Sequence, residues 1–195
     1  MKKVLPILLL VLPLLLASCG KAKTEDQENN IIIKKDRSII SNIVEDFGQN
    51  YYDIDELNEM IGNEVNKYDQ LHPDAVSYEN AVLEEGKVKL SITFKTSDDY
   101  SSFNNEKLFV GNSAEALLKG YSLDVILSES DDPTKTIAGV DIKAMTDETI
   151  VILDFDGNVH LPSEARYVSD NVTLSDKGKT AKKKEATDGL LYIIY

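Results

Sequence analysis

The chain has 195 residues, with 34 acidic against 21 basic side chains and a net charge of −13. So acidic a surface repels polyanions and excludes a nucleic-acid-binding role. With one cysteine the chain can form no internal disulfide, and with two histidines, His72 and His160, no multi-histidine zinc site.

The chain opens with Lys2 and Lys3, followed by thirteen apolar residues from Val4 to Leu16. That run is shorter than the roughly 20 residues a spanning helix needs. It fits the roughly 7–15 residues of a signal-peptide core. The next residues, Leu16-Ala17-Ser18-Cys19, resemble the lipobox of bacterial lipoproteins. The resemblance implies cleavage between Ser18 and Cys19, a diacylglycerol on the Cys19 thiol and a further acyl chain such as palmitate on the new N-terminus. Two acyl chains anchor durably where one is marginal. Removing residues 1–18 takes away Lys2 and Lys3 and no acid, so −13 becomes −15 on the mature 177 residues.

Residues 19–36 read as the lipidated cysteine and a polar tether, with Ile31-Ile32-Ile33 as a first contact with the folded part. Residues 37–195 are expected to form a single domain, with a candidate sub-boundary near 128–136. Ile39, Ile40, Ile43, Val44 and Phe47 share one helical face, and Asp53-Ile54-Asp55-Glu56 reads as the cap of a second helix. Ile54, Leu57, Ile61, Val65 and Tyr68 form the apolar stripe of that helix, which His72-Pro73 ends. Val76–Leu83 and Val88–Phe94 then read as strands about a Glu84–Lys87 turn. Leu108–Val110 is a short strand, and AEALLK, capped by Ser113 and closed at Gly120, a short helix. Further strands are expected at Leu123–Leu127, Val140–Ala144, Ile150–Asp154, Val159–Leu161, Ala165–Val168, Asn171–Leu174 and Leu190–Tyr195. The pattern predicts an α+β fold, with an N-terminal helical pair followed by a mainly antiparallel, meander-like sheet. In this layout the chain resembles small uncharacterised lipoproteins of Gram-positive anaerobes, a likeness that implies location and no activity.

Three readings compete for Asp154-Phe155-Asp156-Gly157. The stretch resembles the first motif of the haloacid dehalogenase superfamily, in which the first aspartate attacks phosphorus and the second acts as acid and base beside Mg²⁺. Against it, Asn158 stands where that motif usually has threonine, and the 38 residues after Gly157 leave no room for the later motifs. Asp154, Asp156 and Asn158 also stand at positions 1, 3 and 5 of a calcium-loop register, as weak metal candidates. Val159 and Ala165 occupy the positions that need glycine and glutamate. The remaining reading is a hairpin turn, with Gly157 and Asn158 taking positive φ. Lys177, Lys179, Lys182, Lys183 and Lys184 form a basic patch read as a solvated loop, and Tyr51-Tyr52 and Tyr192/Tyr195 are candidate binding aromatics.

With no coherent catalytic set and no cofactor motif, the sequence is read as a lipid-anchored extracytoplasmic binding or interaction protein. Its partners are the membrane, through Cys19, and an unidentified cell-envelope or protein ligand. A surface metal-assisted phosphatase using Asp154 and Asp156 is the alternative.

Overall fold

A computed structural model describes residues 27–195. The expected signal peptide, Ser18, Cys19 and residues 20–26 of the expected tether lie outside the described residues. The elements run in the order β1 (Asn30–Ile33), β2 (Ile39–Asp46), α1 (Ile54–Asp69), β3 (Val76–Glu84), β4 (Lys87–Phe94), α2 (Ser97–Asn104), β5 (Leu108–Gly111) and α3 (Ser113–Leu118). Then follow β6 (Leu127–Glu129), β7 (Thr136–Ile137), α4 (Gly139–Ala144), β8 (Ile150–Leu153), β9 (Asn158–His160), β10 (Tyr167–Val168), β11 (Val172–Ser175), β12 (Thr180–Lys183) and β13 (Leu191–Ile194).

These thirteen strands make two sheets, ordered β11-β12-β9-β1-β2-β4-β3 and β5-β8-β13-β10-β6-β7. All strand pairs are antiparallel except β1 with β9. Neighbours such as β9 and β1, or β5 and β8, are distant in sequence, so the sheets are not meanders.

The fold expectation is therefore corrected. No helical pair precedes the sheet among the described residues; Ile39–Asp46 is a strand, bonded on one side to β1 and on the other to β4. Ile39, Ile40, Ile43 and Val44 do satisfy helical spacing, yet all four are β-branched and favour a strand. Apolar residues on both faces of a strand imitate the helical stripe. The isoleucine triplet assigned to the tether is β1, an interior strand of the seven-stranded sheet. Val140–Ala144, expected as a strand, lies in helix α4, and Leu123–Leu127 is irregular up to the start of β6.

The sheets face each other across one core. Ile31, Ile33, Ile92, Phe94, Val159 and Ala181 meet Val110, Val151, Leu153, Leu191 and Ile193 from the opposite sheet. The other face of the six-stranded sheet carries Phe109, Ile150, Ile152, Tyr192 and Ile194. It is covered by Ala116 of α3, Ile142 of α4 and Leu123, with Leu127 of β6 in the same cluster. Burial on both faces explains why β8 and β13 read as unbroken apolar runs.

Two helices close strand ends that would otherwise leave backbone groups unpaired. Ser101 Oγ donates to the Leu108 carbonyl at 2.8 Å and accepts from the Leu108 N–H at 3.0 Å, and Ser97 Oγ accepts from the Val110 N–H at 3.1 Å. Spaced four apart on α2, the two serines seal the edge of β5. In β3 the register shifts between Glu79 and Val82, and Asn58 of α1 bonds both the N–H and the carbonyl of Ala81, at 2.7 and 3.1 Å. Its amide replaces the strand partner that a bulge removes.

Candidate functional site

Asp154–Gly157 links β8 of one sheet to β9 of the other, so the stretch is a corner between sheets and not a hairpin. Gly157 is not among the glycines with positive φ. It is required for another reason: a Cβ there would lie 2.1 Å from the Asn29 carbonyl oxygen and 2.6 Å from Phe155. The Asn158 N–H bonds the same carbonyl at 3.1 Å, and the Asp154 N–H bonds the Lys107 carbonyl at 3.2 Å. Backbone approach at both ends thus pins the corner against the chain that enters β1 and the chain that enters β5.

The two aspartates converge on a lysine. Lys183 Nζ lies 3.0 Å from Asp154 Oδ1 and 3.5 Å from Asp156 Oδ1, with the Lys183 side chain only 13% exposed. Within β12, Lys183 shares the inward face with the buried Ala181, and its end-of-strand position lets it reach the corner. The hydrogen bond and negative charge of Asp154, reinforced by Asp156, raise the Lys183 pKa above the ordinary lysine value. Lys182, on the opposite face, bonds Glu28 at 2.6 Å and lowers the Glu28 pKa below the usual carboxylate value. The supposed basic loop is thus partly a strand whose lysines are ion-paired.

Around the corner lies a polar cleft of about 920 Å³, lined by Asp154, Asp156, Glu28, Lys182, Glu106 and Lys107 among others. Glu106 accepts a 2.6 Å hydrogen bond from the Tyr100 hydroxyl, whose pKa is raised by burial and by that carboxylate. The cleft carboxylates Glu28, Glu106, Asp154 and Asp156 thus each have a donor supplied by the protein. The shifts of Lys183 and Glu28 carry them further from neutrality, opposite to what a general acid or base requires. Asn158, on β9, pairs with Asn30 and Lys182 in the ladder. Among the described residues no group of three or more His, Cys, Asp and Glu side chains is placed to hold a metal ion.

His160 does not line the cleft; its Nδ1 lies 3.1 Å from Thr180 Oγ1. His72 stacks on Tyr68 with ring centroids 4.5 Å apart. Tyr192 is buried, donating its hydroxyl to the Ser122 carbonyl at 3.0 Å, and Tyr195 packs against the core. Tyr51 and Tyr52 are exposed. Lys183 as partner of the aspartates was not visible in the sequence, because the pair meets only when β12 and β8 are in their sheets. Nor could the sequence show that Asn105–Lys107 line the same cleft.

No protein-family model matches the chain, and no curated protein or solved structure matches it. Among the described residues no helix is long and apolar enough to cross a membrane.

Proposed function

We propose that the protein is a lipid-anchored binding or interaction protein on the outer face of a bacterial cell membrane, held there by acyl chains on Cys19. The observation that carries the non-catalytic reading is the closure of Asp154 and Asp156 on Lys183. Asp154 and Asp156 line the cleft, yet both are paired there with a resident ammonium, that of Lys183, which ties them to the corner of the fold. The location rests on the order Lys2-Lys3, Val4–Leu16 and Leu16-Ala17-Ser18-Cys19. From Cys19 to Gln27 the chain spans at most about 29 Å when fully extended. The end of the domain that carries Gln27, Asn29 and the cleft is then the one nearest the bilayer.

Labelling of the expressed protein with radioactive palmitate, followed by detergent phase partition, tests the anchor. Label in the protein, detergent partition and loss of both in Cys19→Ala are expected; an unlabelled, water-partitioning protein would refute it. Turnover of a generic phosphate ester with Mg²⁺, abolished by Asp154→Asn, would establish the hydrolase in place of the binding protein.

A further inference from the structure

The segment between β2 and α1, Phe47-Gly48-Gln49-Asn50-Tyr51-Tyr52-Asp53, holds three aromatic rings together at the surface. Phe47 and Tyr52 stack at 4.7 Å and 26°, and Tyr51 meets Tyr52 edge-on at 4.8 Å and 71°. Tyr51 is 72% exposed and Tyr52 44%. Single exposed apolar residues need no explanation, but contiguous rings packed on one another and not into the core do. Stacking fixes the ring orientations before any ligand arrives, so a ligand would find the faces already set.

Charge selects the ligand. From Ser38 to Asn66 every charged residue is acidic, including Asp46 and Asp53, which flank the rings. The Phe47 N–H bonds the Gly86 carbonyl at 2.8 Å, which brings the β3–β4 turn and its exposed Glu84 and Glu85 beside the loop. Among the described residues the nearby cations include Lys87, the cross-strand partner of Asp46, and Lys89, which bonds Glu84 at 2.8 Å, and the surrounding carboxylates outnumber them. The negative face of an aromatic ring attracts cations, and surrounding carboxylates add to that attraction while repelling anions.

We infer that the Phe47–Tyr52 platform docks a basic peptide segment of a partner protein, with Lys or Arg side chains lying over the tyrosine faces within the acidic rim. This deepens the binding-protein reading and rests on it. Because Val44 N–H bonds Asn29 Oδ1 at 2.7 Å, the platform follows directly on the strand end that meets the chain's entry into the domain. A partner reaching it is therefore met at the end of the domain nearest the anchor.

The test uses full-length protein in non-ionic detergent and a fluorescent octapeptide of alternating lysine and glycine, with its glutamine counterpart as control. The lysine peptide should bind and the glutamine peptide should not. Tyr51→Leu and Tyr52→Leu should each weaken binding about 3- to 10-fold while Tyr51→Phe retains it, because cation attraction depends on the ring face. Affinity should fall severalfold as salt rises from about 50 to about 200 mM. Asp46→Asn, which leaves the ring stack untouched, should also weaken it. Equal binding of both peptides, unchanged affinity in the leucine variants, or preference for a neutral oligosaccharide would each overturn the proposal. Cys19→Ala should leave peptide binding intact, and Tyr51→Leu should leave detergent partition intact, so failure of the anchor and failure of the platform are separable.

Discussion

The two sheets differ in what lies on their outer faces. The outer face of the six-stranded sheet is roofed by α3, α4 and the Leu123–Leu127 segment, over Phe109, Ile150, Ile152 and Ile194. Among the described residues the outer face of the seven-stranded sheet has no such roof, and the strand registers set polar side chains there in a row, Thr173, Lys182, Asn158, the buried Asn30, Asn42, Ser91 and Glu79, one per strand. Asn42 donates to Asn30 within that row at 2.8 Å. One sheet is therefore invested in cohesion. The other has an outer face that carries amides and hydroxyls, and its β2–α1 loop carries the aromatic cluster, while the cleft lies at the corner where the two sheets meet.

The sharpest way to break this contrast is a truncation in the roofed sheet. Ile152→Ala, at a fully buried position beneath the roof, should destabilise the fold by about 2–5 kcal/mol in urea unfolding. Gly157→Ala comes next, at about 1–3 kcal/mol, because the added methyl meets the Asn29 backbone, which cannot swing aside, as well as the Phe155 ring. Lys183→Met should cost less than either, and its cost should depend on pH. The folded pKa of Lys183 is raised, so its contribution is complete below the ordinary lysine value of about 10.4 and is lost as pH rises through the folded value. Thermal midpoints of wild type and variant should therefore differ at neutral pH and converge in strong alkali. On the open face, Thr93→Val should change stability by no more than about 0.5 kcal/mol. A loss there as large as that of Ile152→Ala would mean that the open face is covered.

The elements legible in the sequence are those whose signal is local. Helix α1 follows its apolar stripe, and Asp53 caps it by accepting from the Asp55 and Glu56 N–H groups. The β3–β4 pair follows the alternation from Val88 to Phe94. In α3 the cap is Asn112, one residue before the expected Ser113, with Glu115 completing a capping box. Helix α2 is capped by Thr96, whose Oγ1 donates to the Asp99 carboxylate and accepts from the Asp99 N–H, but its eight residues show no clear apolar stripe. Strand β2 lacks the alternation that marks a strand because apolar residues stand on both of its faces, Ile39 and Ile43 on one and Ile40 and Val44 on the other. Helix α4 was misread because Val140 and Ile142 alternate with Asp141 and Lys143 over only six residues. The corner at Asp154–Gly157 was found but mistaken for a hairpin, since β8 bonds β5 and β13 whereas β9 bonds β1 and β12. Partners that distant leave no trace in the four residues between them.

The place of β1 has a mechanical meaning. A pull transmitted through the chain ahead of Gln27 enters the fold at an interior strand, bonded to β2 on one side and β9 on the other. An edge strand would peel away one hydrogen bond at a time. Strand β1 must slide against two ladders at once, and in doing so draw Ile31 and Ile33 out of the shared core. Under the proposed anchorage the domain would be gripped where it yields least, and a tug would load the whole sheet before it freed any part of it.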